Sequence, residues 1–179
     1  NYDVSGLNVS GTYINNTANT GGGANYFLNS VSTSNVTGTY INNTASNGAI
    51  IHFENRLDLE LDANITNAIF LNNNCSYEVY TRTPGVVVKD SWFGNNVSNY
   101  WNKPHINENV TIDKWLFLNA TVSNSFLLLM DSSNITFKLN STDGTHVFDF
   151  DNSLLPTVNL TLPRPGNKHS MIIIFSNPF

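Results

Sequence analysis

The chain has 179 residues, of which 40% are apolar and only 12% carry a charge, and its formal net charge is −5. A chain of this length and apolar content can bury a core, as one large domain or two small ones. Its eight Lys and Arg residues are spread along the sequence, so no basic stripe is available to neutralise phosphates. The composition therefore argues against nucleic acid as a partner.

Asparagine is the most unusual part of the composition, with 31 copies, and Ser and Thr together add 34 more. The sequon Asn-x-Ser/Thr occurs twelve times, whereas chance would give about six. We therefore predict N-glycosylation, which requires export through a glycosylating membrane system; the alternative is that Asn and Thr co-occur because both favour turns. The predicted glycosylation sites are Asn8, Asn35, Asn64, Asn74, Asn96, Asn109, Asn119, Asn134, Asn140 and Asn159.

The single cysteine, Cys75, cannot form an intramolecular disulfide, and we interpret it as a small apolar residue in the core. No stretch of the sequence approaches the ~20 apolar residues that a transmembrane helix requires. Because the chain begins with Asn1 rather than Met, we expect that a signal peptide, an anchor or both have been removed. These features predict an extracellular, cell-surface location, with no membrane span in this part of the protein.

An internal repeat organises the first hundred residues. Residues 8–18 return as residues 35–45 with ten of eleven positions identical, at a spacing of 27 residues. A finer unit is an aromatic residue followed two positions later by Asn, and two side chains at this spacing lie on one face of a strand. The pairs are Tyr13/Asn15, Phe27/Asn29, Tyr40/Asn42, Phe53/Asn55, Phe70/Asn72 and Phe93/Asn95.

A parallel β-helix explains these pairs. Equivalent residues of successive coils then lie ~4.8 Å apart, so that aromatic rings stack and Asn amides form a hydrogen-bonded ladder. We therefore predict that residues 1–103 form a right-handed parallel β-helix-like solenoid of roughly four coils. In this arrangement Asn15 and Asn42 point inward, and we expect them to carry no glycan.

From residue 104 onward the repeat is replaced by alternation of apolar and polar residues. The run 135–140 places its odd-numbered apolar residues on one face and Asn140 on the opposite, outward face. Six short strands predict a small Ig-like β-sandwich over residues 104–179, and we expect it to be incomplete because it ends soon after the apolar run 172–175. The predicted strands are 110–122, 126–130, 135–140, 146–151, 158–162 and 171–175.

An alternative fold contains β-sandwiches only. A subunit of an extracellular filament donates one strand to complete the sandwich of the next subunit, and the apolar run 172–175 would be such a strand. The two alternatives differ in whether Tyr13 and Tyr40 lie on one connected sheet, as the solenoid requires.

Three acidic residues alternate along one predicted strand, so their carboxylates share a face. Such a set is a weak candidate for binding Ca²⁺, or for the acid and base of glycosidic cleavage. Neighbouring coils offer almost no matching acids, so we interpret the three as a solvated outer face and predict neither a cofactor nor catalysis. These candidate ligands are Asp58, Glu60 and Asp62.

Histidines and exposed aromatic residues are the remaining candidates for a site. The four histidines show no metal-ligand spacing, and we interpret them as surface or core residues. Several aromatic rings could provide a flat surface for sugars, although ordinary packing is the simpler explanation. The histidines are His52, His105, His146 and His169, and the aromatic residues are Tyr2, Tyr26, Tyr77, Tyr80, Tyr100 and Trp101.

Several of these segments resemble adhesin-like surface proteins of methanogenic archaea. The similar segments are the Thr-Tyr-Ile-Asn-Asn-Thr-Ala repeats, residues 92–96 (Trp-Phe-Gly-Asn-Asn) and residues 113–122. The resemblance implies β-helix repeats that pass into an Ig-like module, whose middle resembles residues 151–162. The repeats are also similar to those of polymorphic bacterial adhesins. Members of the archaeal family are usually far longer, which implies that this chain is a fragment.

The resemblance implies an extracellular protein that acts in adhesion or surface structure, with other surface proteins, cells or glycans as partners. The main alternative is a subunit that assembles into a filament or pilus by donor-strand complementation. A lesser alternative is a carbohydrate-active β-helix enzyme.

Overall fold

In the computed structural model the chain is built almost entirely of strands, with 61% strand and 3% helix. The structure describes residues 4–28, 31–32, 34–55, 61–94, 106–123, 135–155, 159–162 and 171–174. Within these ranges no helix is long and apolar enough to cross a membrane. The strands are β1 (Val4–Ser5), β2 (Asn8–Val9), β3 (Thr12–Ile14), β4 (Thr17–Ala18), β5 (Asn25–Leu28), β6 (Val31–Ser32), β7 (Ser34–Ile41), β8 (Thr44–Glu54), β9 (Ala63–Leu71), β10 (Asn74–Thr81), β11 (Val86–Lys89), β12 (Ser91–Trp92), β13 (Val110–Ile112), β14 (Trp115–Val122), β15 (Ile135–Thr142), β16 (Val147–Phe148), β17 (Asn159–Leu162) and β18 (Met171–Ile174), and one turn of 3₁₀ helix spans Asn152–Leu154.

Most of the strands belong to two sheets in which successive coils pair in parallel. Sheet I contains β2 and β3, then β7, then β9, then β11 and β12, and finally β13 and β14; sheet II contains β4 and β5, then β8, then β10. In sheet I, Tyr13 pairs with Tyr40, and Tyr40 pairs with Phe70. The chain passes through both sheets in each of the first three coils. The prediction of a β-solenoid is therefore confirmed, with about three turns.

Columns of stacked side chains fill the solenoid, because each coil places the same residue type at the same level. In sheet I the rings of Tyr13, Tyr40, Phe70 and Phe93 stack at successive centroid separations of 4.9 Å. Burying each such side chain stabilises the fold by about 1.5–3 kcal/mol. The aromatic stacking predicted from the repeat is thus confirmed. An aliphatic column runs beside it through Val9, Val36, Ile65, Val88 and Ile112.

The repeat contains a glycine at position 38 for a steric reason. Gly38 has a φ of +132°, and a Cβ atom at this position would collide with the backbone carbonyl of Gly11 in the coil before. The close approach allows Thr39 N to donate to Gly11 O at 2.9 Å. Only glycine adopts this φ without strain, so Gly38 brings the first two coils into contact.

The predicted inward orientation of Asn15 and Asn42 is wrong. Both residues have left-handed backbones, with φ of 57° and 53°, and both side chains are exposed. Asn tolerates this conformation better than most residues, and here it ends each sheet I strand and turns the chain toward sheet II. The i, i+2 rule fails because the strand ends between the aromatic residue and the Asn.

The internal amide ladder is formed by the next residue in each coil. Asn43 Oδ1 accepts hydrogen bonds from the backbone N and the Nδ2 of Asn16, at 3.0 and 2.9 Å. Asn73 Oδ1 accepts from the same two atoms of Asn43, at 2.8 and 3.2 Å. Asn43 Nδ2 also donates to Tyr13 O, and Asn73 Nδ2 to Tyr40 O. Asn43 is fully buried, and the ladder provides the partners that a buried amide requires.

The hydrogen-bonded sheet crosses the boundary that we expected between residues 103 and 104. Strand β13 pairs in parallel with β11, and β14 pairs in parallel with β12 through Trp115 and Leu116. Sheet I then becomes antiparallel, because β14 pairs along its whole length with β15, and β15 pairs with β16. Strands β17 and β18 form a separate antiparallel pair. The predicted Ig-like sandwich is not confirmed, and the predicted strand 126–130 lies outside the described residues.

Strand β15 follows the predicted alternation except at its polar end. Leu139 is fully buried, whereas Thr136 and Lys138 are exposed. The outward orientation predicted for Asn140 is wrong, since this residue is only 7% exposed. Its Nδ2 donates to Phe148 O at 3.3 Å, so pairing with the short strand β16 covers the outer end of β15.

Candidate functional surface

A further column, made of tyrosine and histidine rings, lies on the outer face of sheet II. Tyr26 stacks on His52 at a centroid separation of 4.9 Å, and His52 contacts Tyr80 at 4.6 Å. The column follows from the register, which pairs Tyr26 with His52 and His52 with Tyr80, while the neighbouring residues Phe27 and Phe53 stack inside. The structure thus brings together Tyr26 and Tyr80, two of the aromatic residues predicted as a sugar surface.

A charged cluster lies against this outer column. Glu54 Oε2 is 3.2 Å from His52 Nε2, and Glu54 Oε1 is 3.2 Å from Arg82 Nη1. A carboxylate can only accept, so His52 donates from Nε2. The Arg82 side chain is 60% exposed, which leaves donors of its guanidinium available to solvent. Sequence analysis did not identify this cluster, although His52 and Glu54 have the i, i+2 spacing of one strand face.

The stacking limits how the outer column can bind a ligand. Within the described residues, the rings of His52 and Tyr80 already contact neighbours, and Tyr77 lies 6.1 Å from Tyr80. Tyr26 is 46% exposed, and among the described residues it has a ring partner on one face. Of the rings in the outer column, Tyr26 is therefore the one with the most accessible surface in the part of the chain that the structure describes. Tyr2, Tyr100 and Trp101 lie outside the described residues.

The predicted Ca²⁺ ligands stay a prediction, because only one of the three lies in the part of the chain that the structure describes. Asp62 is exposed, and Asp58 and Glu60 lie outside the described residues. Among the residues of known position, no group of three His, Cys, Asp or Glu side chains could hold a metal ion. His146 contacts Asp143 through Nδ1 at 3.1 Å, and His105 and His169 lie outside the described residues.

Five sequon asparagines are exposed on the outer surface of the solenoid. Asn8 pairs with Asn35, and Asn35 with the half-buried Asn64, so three sequons lie one above another on sheet I. Asn15 and Asn42 lie at the exposed corner described above, and Asn74 is exposed where sheet II begins. The exposed members are Asn8, Asn15, Asn35, Asn42 and Asn74.

Three other sequon asparagines use their amide groups inside the fold. Asn109 Nδ2 donates to Arg82 O at 3.0 Å, and Asn119 Nδ2 donates to Asn140 Oδ1 at 3.4 Å. A glycan is a bulky group on this nitrogen, so it would disturb these contacts and the buried contact of Asn140. Asn96 and Asn134 lie outside the described residues, as does the side chain of Asn159.

A carboxyl group contacts the amide ladder. Glu78 Oε2 accepts a hydrogen bond from Asn73 Nδ2 at 3.1 Å, and Asn96, the residue that corresponds to Asn73 in the next coil, lies outside the described residues. Burial raises the pKa of Glu78 to about 7, although hydrogen bonds from Asn73 and Cys75 oppose this shift. The half-buried Cys75 packs against the core, and burial together with Glu78 raises the pKa of its thiol to about 12.

Comparisons with protein-family models, with curated proteins and with solved structures find no match for this chain. The fold defines a β-solenoid protein with internal aromatic and amide columns. The resemblance to archaeal adhesin-like proteins stays a prediction.

Proposed function

We propose that this chain is part of an extracellular, N-glycosylated surface protein that acts in adhesion or surface structure and has no catalytic role. The observation that carries the proposal is the regular exposure of sequon asparagines along the solenoid. Asn8 and Asn35 form one row, and Asn15 and Asn42 form a second row at the corner. Glycans on such rows would project from successive coils and cover the uncharged outer surface.

The outer column and its charged cluster are the surface that we assign to partner contact. Among the described residues Tyr26 has a ring partner on one face, and Arg82, in the third coil, has guanidinium donors exposed to solvent. These groups suit a glycan, because the CH face of a sugar packs on an aromatic ring and hydroxyl or carboxylate groups accept from arginine. Each contact is shallow, so useful affinity requires several copies acting together.

Intact glycopeptide mass spectrometry of the protein from its native source tests the proposal. We expect glycans at the five exposed sequons and none at Asn109 or Asn140, because these two side chains are half-buried and buried and donate to backbone carbonyls inside the fold. Antibody labelling of intact cells should reach the protein without permeabilisation. As a matched control, Thr17→Ala removes the sequon of Asn15 and should abolish only that glycopeptide.

Two results would contradict the proposal. Native protein without any glycan would remove its main support, and a protein labelled only after permeabilisation would exclude a surface role. Occupied Asn140 with empty Asn15 and Asn42 would contradict the assignment of outer and inner sequons.

The donor-strand alternative receives no specific support. The apolar segment that motivated it, Met171–Ile174, pairs antiparallel with Asn159–Leu162 of the same chain. A donated strand needs a partner in another subunit, whereas this segment has one in its own.

A further inference from the structure

The ring of His52 is closely surrounded by its neighbours in the outer column. Its two faces contact the rings of Tyr26 and Tyr80, at centroid separations of 4.9 and 4.6 Å. Its Nε2 lies 3.2 Å from Glu54 Oε2, and the side chain is 13% exposed. The remaining nitrogen, Nδ1, lies on the edge of the ring against which Gly21 packs.

Gly21 approaches this edge because it has no side chain. A Cβ atom at position 21 would collide with Nδ1 of His52. In the part of the chain that the structure describes, Nδ1 is buried and has no hydrogen-bond partner. Gly21 and the ring of His52 are therefore held together by packing, without a hydrogen bond at Nδ1.

Gly21 begins a short segment, residues 21–24, that lies against strand β8 and that we name the glycine segment. Gly22 has a φ of +78°, which glycine adopts without strain. Three backbone hydrogen bonds of 2.8–3.0 Å connect the segment to β8, and so keep Gly21 in place over the ring. They run from Gly22 N and Gly23 N to Ala49 O, and from Ala24 N to Ile50 O.

The protonation state of His52 affects this packing. In the neutral ring, Nε2 carries the hydrogen that is donated to Glu54, because a carboxylate can only accept, and Nδ1 carries none. Uptake of a proton places a second N–H group on Nδ1, where it faces Gly21. A buried donor without an acceptor is unfavourable, so the protonated ring favours a conformation in which Nδ1 reaches water.

The charged and titratable groups around the ring lie away from Nδ1. Glu54 contacts Nε2 and favours a positive ring, and Arg82 contacts the other oxygen of Glu54. Tyr26 and Tyr80 present their ring faces. The ring can therefore accept a proton because of Glu54, whereas the packing on the opposite edge does not accommodate the new N–H group.

We propose that His52 is a proton-dependent switch that releases the glycine segment from the outer column in mildly acidic solution. When the ring is neutral, the segment packs over Nδ1 and covers this edge of the column. When the ring is protonated, the segment moves away and Nδ1 becomes a hydrogen-bond donor on the surface that we assign to partner contact. The switch does not depend on that assignment, because the segment opens in the protein alone.

Amide hydrogen exchange of the full chain at about pH 8 and about pH 5, a range in which histidine gains a proton, tests the switch. After correction for the intrinsic effect of pH, we expect the three amides of the glycine segment to lose about tenfold or more of their protection at the lower pH. The amide of Thr39 donates to Gly11 O between the same two coils, and it should keep its protection.

Two variants isolate the contact between His52 and Gly21. His52→Gln keeps a donor for Glu54 but takes up no proton, so the protection of the glycine segment should not depend on pH. Because this variant retains Glu78, an effect that arises from Glu78 would persist in it. Gly21→Ala places a methyl group against Nδ1, and at pH 8 it should show the weak protection that the wild type shows at pH 5.

His146→Gln is the matched control, because it makes the same change at a histidine whose side chain is 72% exposed and contacts Asp143. It should retain the pH dependence of the wild type. Nitrogen-15 chemical shifts of the His52 ring provide a second measurement on the wild type, and they should show a proton on Nδ1 over the range in which protection is lost.

Four results would overturn the proposal. The first is equal protection of the glycine segment at both pH values in the wild type, and the second is a ring of His52 that stays neutral at pH 5. The third is a pH-dependent loss that persists in His52→Gln. The fourth is full protection of the segment in Gly21→Ala at pH 8.

Discussion

The first two coils and the rest of the solenoid achieve the same stacking by different means. In the first two coils the repeat is nearly identical, and equivalent residues such as Tyr13 and Tyr40 are 27 positions apart. From the third coil the spacing becomes 30, between Tyr40 and Phe70, and then 23, between Ile69 and Trp92. The comparison shows that the fold requires equivalent side chains to align from coil to coil, whereas the number of residues in a coil can vary.

The two regions also differ in how their columns continue. Among the described residues, Tyr13 and Asn16 of the first coil have column partners in the second coil, whereas the later coils pass on to Phe93 and then to the antiparallel strand β15. Ser141 Oγ donates to Asp90 Oδ1 at 2.6 Å and so ties β15 to the fourth coil. The later part of the solenoid is thus covered by strands of its own chain.

The largest expected effect compares how much the centre of the aromatic column and its C-terminal part each contribute to the stability of the fold. Tyr40 is fully buried between two stacked rings, so Tyr40→Ala should lower the free energy of unfolding by about 3–5 kcal/mol. Phe93 is half-buried at the end of the column, and Phe93→Ala should cost clearly less. Urea unfolding measures both, and equal losses would show that the later coils depend on stacking as much as the earlier ones.

The next prediction compares the contribution of the buried amide ladder to stability with that of the exposed turn beside it. Asn43→Ala removes a buried amide that pairs with both neighbouring coils, and it should cost about 2–4 kcal/mol because buried partners stay unpaired. Asn42→Gly is the matched control, since Gly accepts the positive φ of this exposed corner and should change the stability by less than about 1 kcal/mol. Thermal unfolding measures the stability of both variants. A larger loss of stability for Asn42→Gly than for Asn43→Ala would indicate that Asn42 forms the ladder, as the sequence predicted.

The last prediction concerns Glu78, which accepts a hydrogen bond from the ladder residue Asn73. Its pKa is raised from the ordinary 4.5 to about 7 by burial, so between these values the folded state binds more protons than the unfolded state. The stabilising contribution of the protonated group is fully present below pH 4.5 and is lost as the pH rises through 7. At pH 8 this loss is on the order of 3 kcal/mol.

Glu78→Gln keeps an acceptor for Asn73 but has no carboxyl. The variant should match the wild type at pH 4 and be more stable at pH 8, as urea titrations at both values would reveal. Glu108→Gln, at an exposed position, should show no such difference. A stability difference for Glu78→Gln that does not depend on pH would contradict the buried carboxyl.

The sequence predicted the solenoid because its signal is local and repeated. Tyr13 and Tyr40 lie in segments that match at ten of eleven positions, and a repeat of this kind determines which residues stack. The ladder was assigned one residue too early, because the left-handed backbone of Asn15 is a property of the turn and the next residue is also an asparagine. Asn15 and Asn16 cannot be distinguished by pattern alone.

Other features depended on contacts between distant segments. The outer column required His52 to align with Tyr80 across a bulge between Cys75 and Tyr77, and no single-strand pattern contains that shift. Likewise, residues 115–122 were predicted as part of a sandwich strand, yet β14 begins as a parallel strand of sheet I through Trp115. An apolar strand pattern reports that a segment is extended and buried, but it carries no information about the direction of the neighbouring strand.

The amide ladder has a consequence for how a fold of this kind can change in length. An asparagine side chain both accepts and donates hydrogen bonds, so Asn16, Asn43 and Asn73 connect successive coils with one residue type. No level among these three requires a different side chain. Duplication of the segment that encodes one coil would therefore supply the partners of the added coil together with the coil itself.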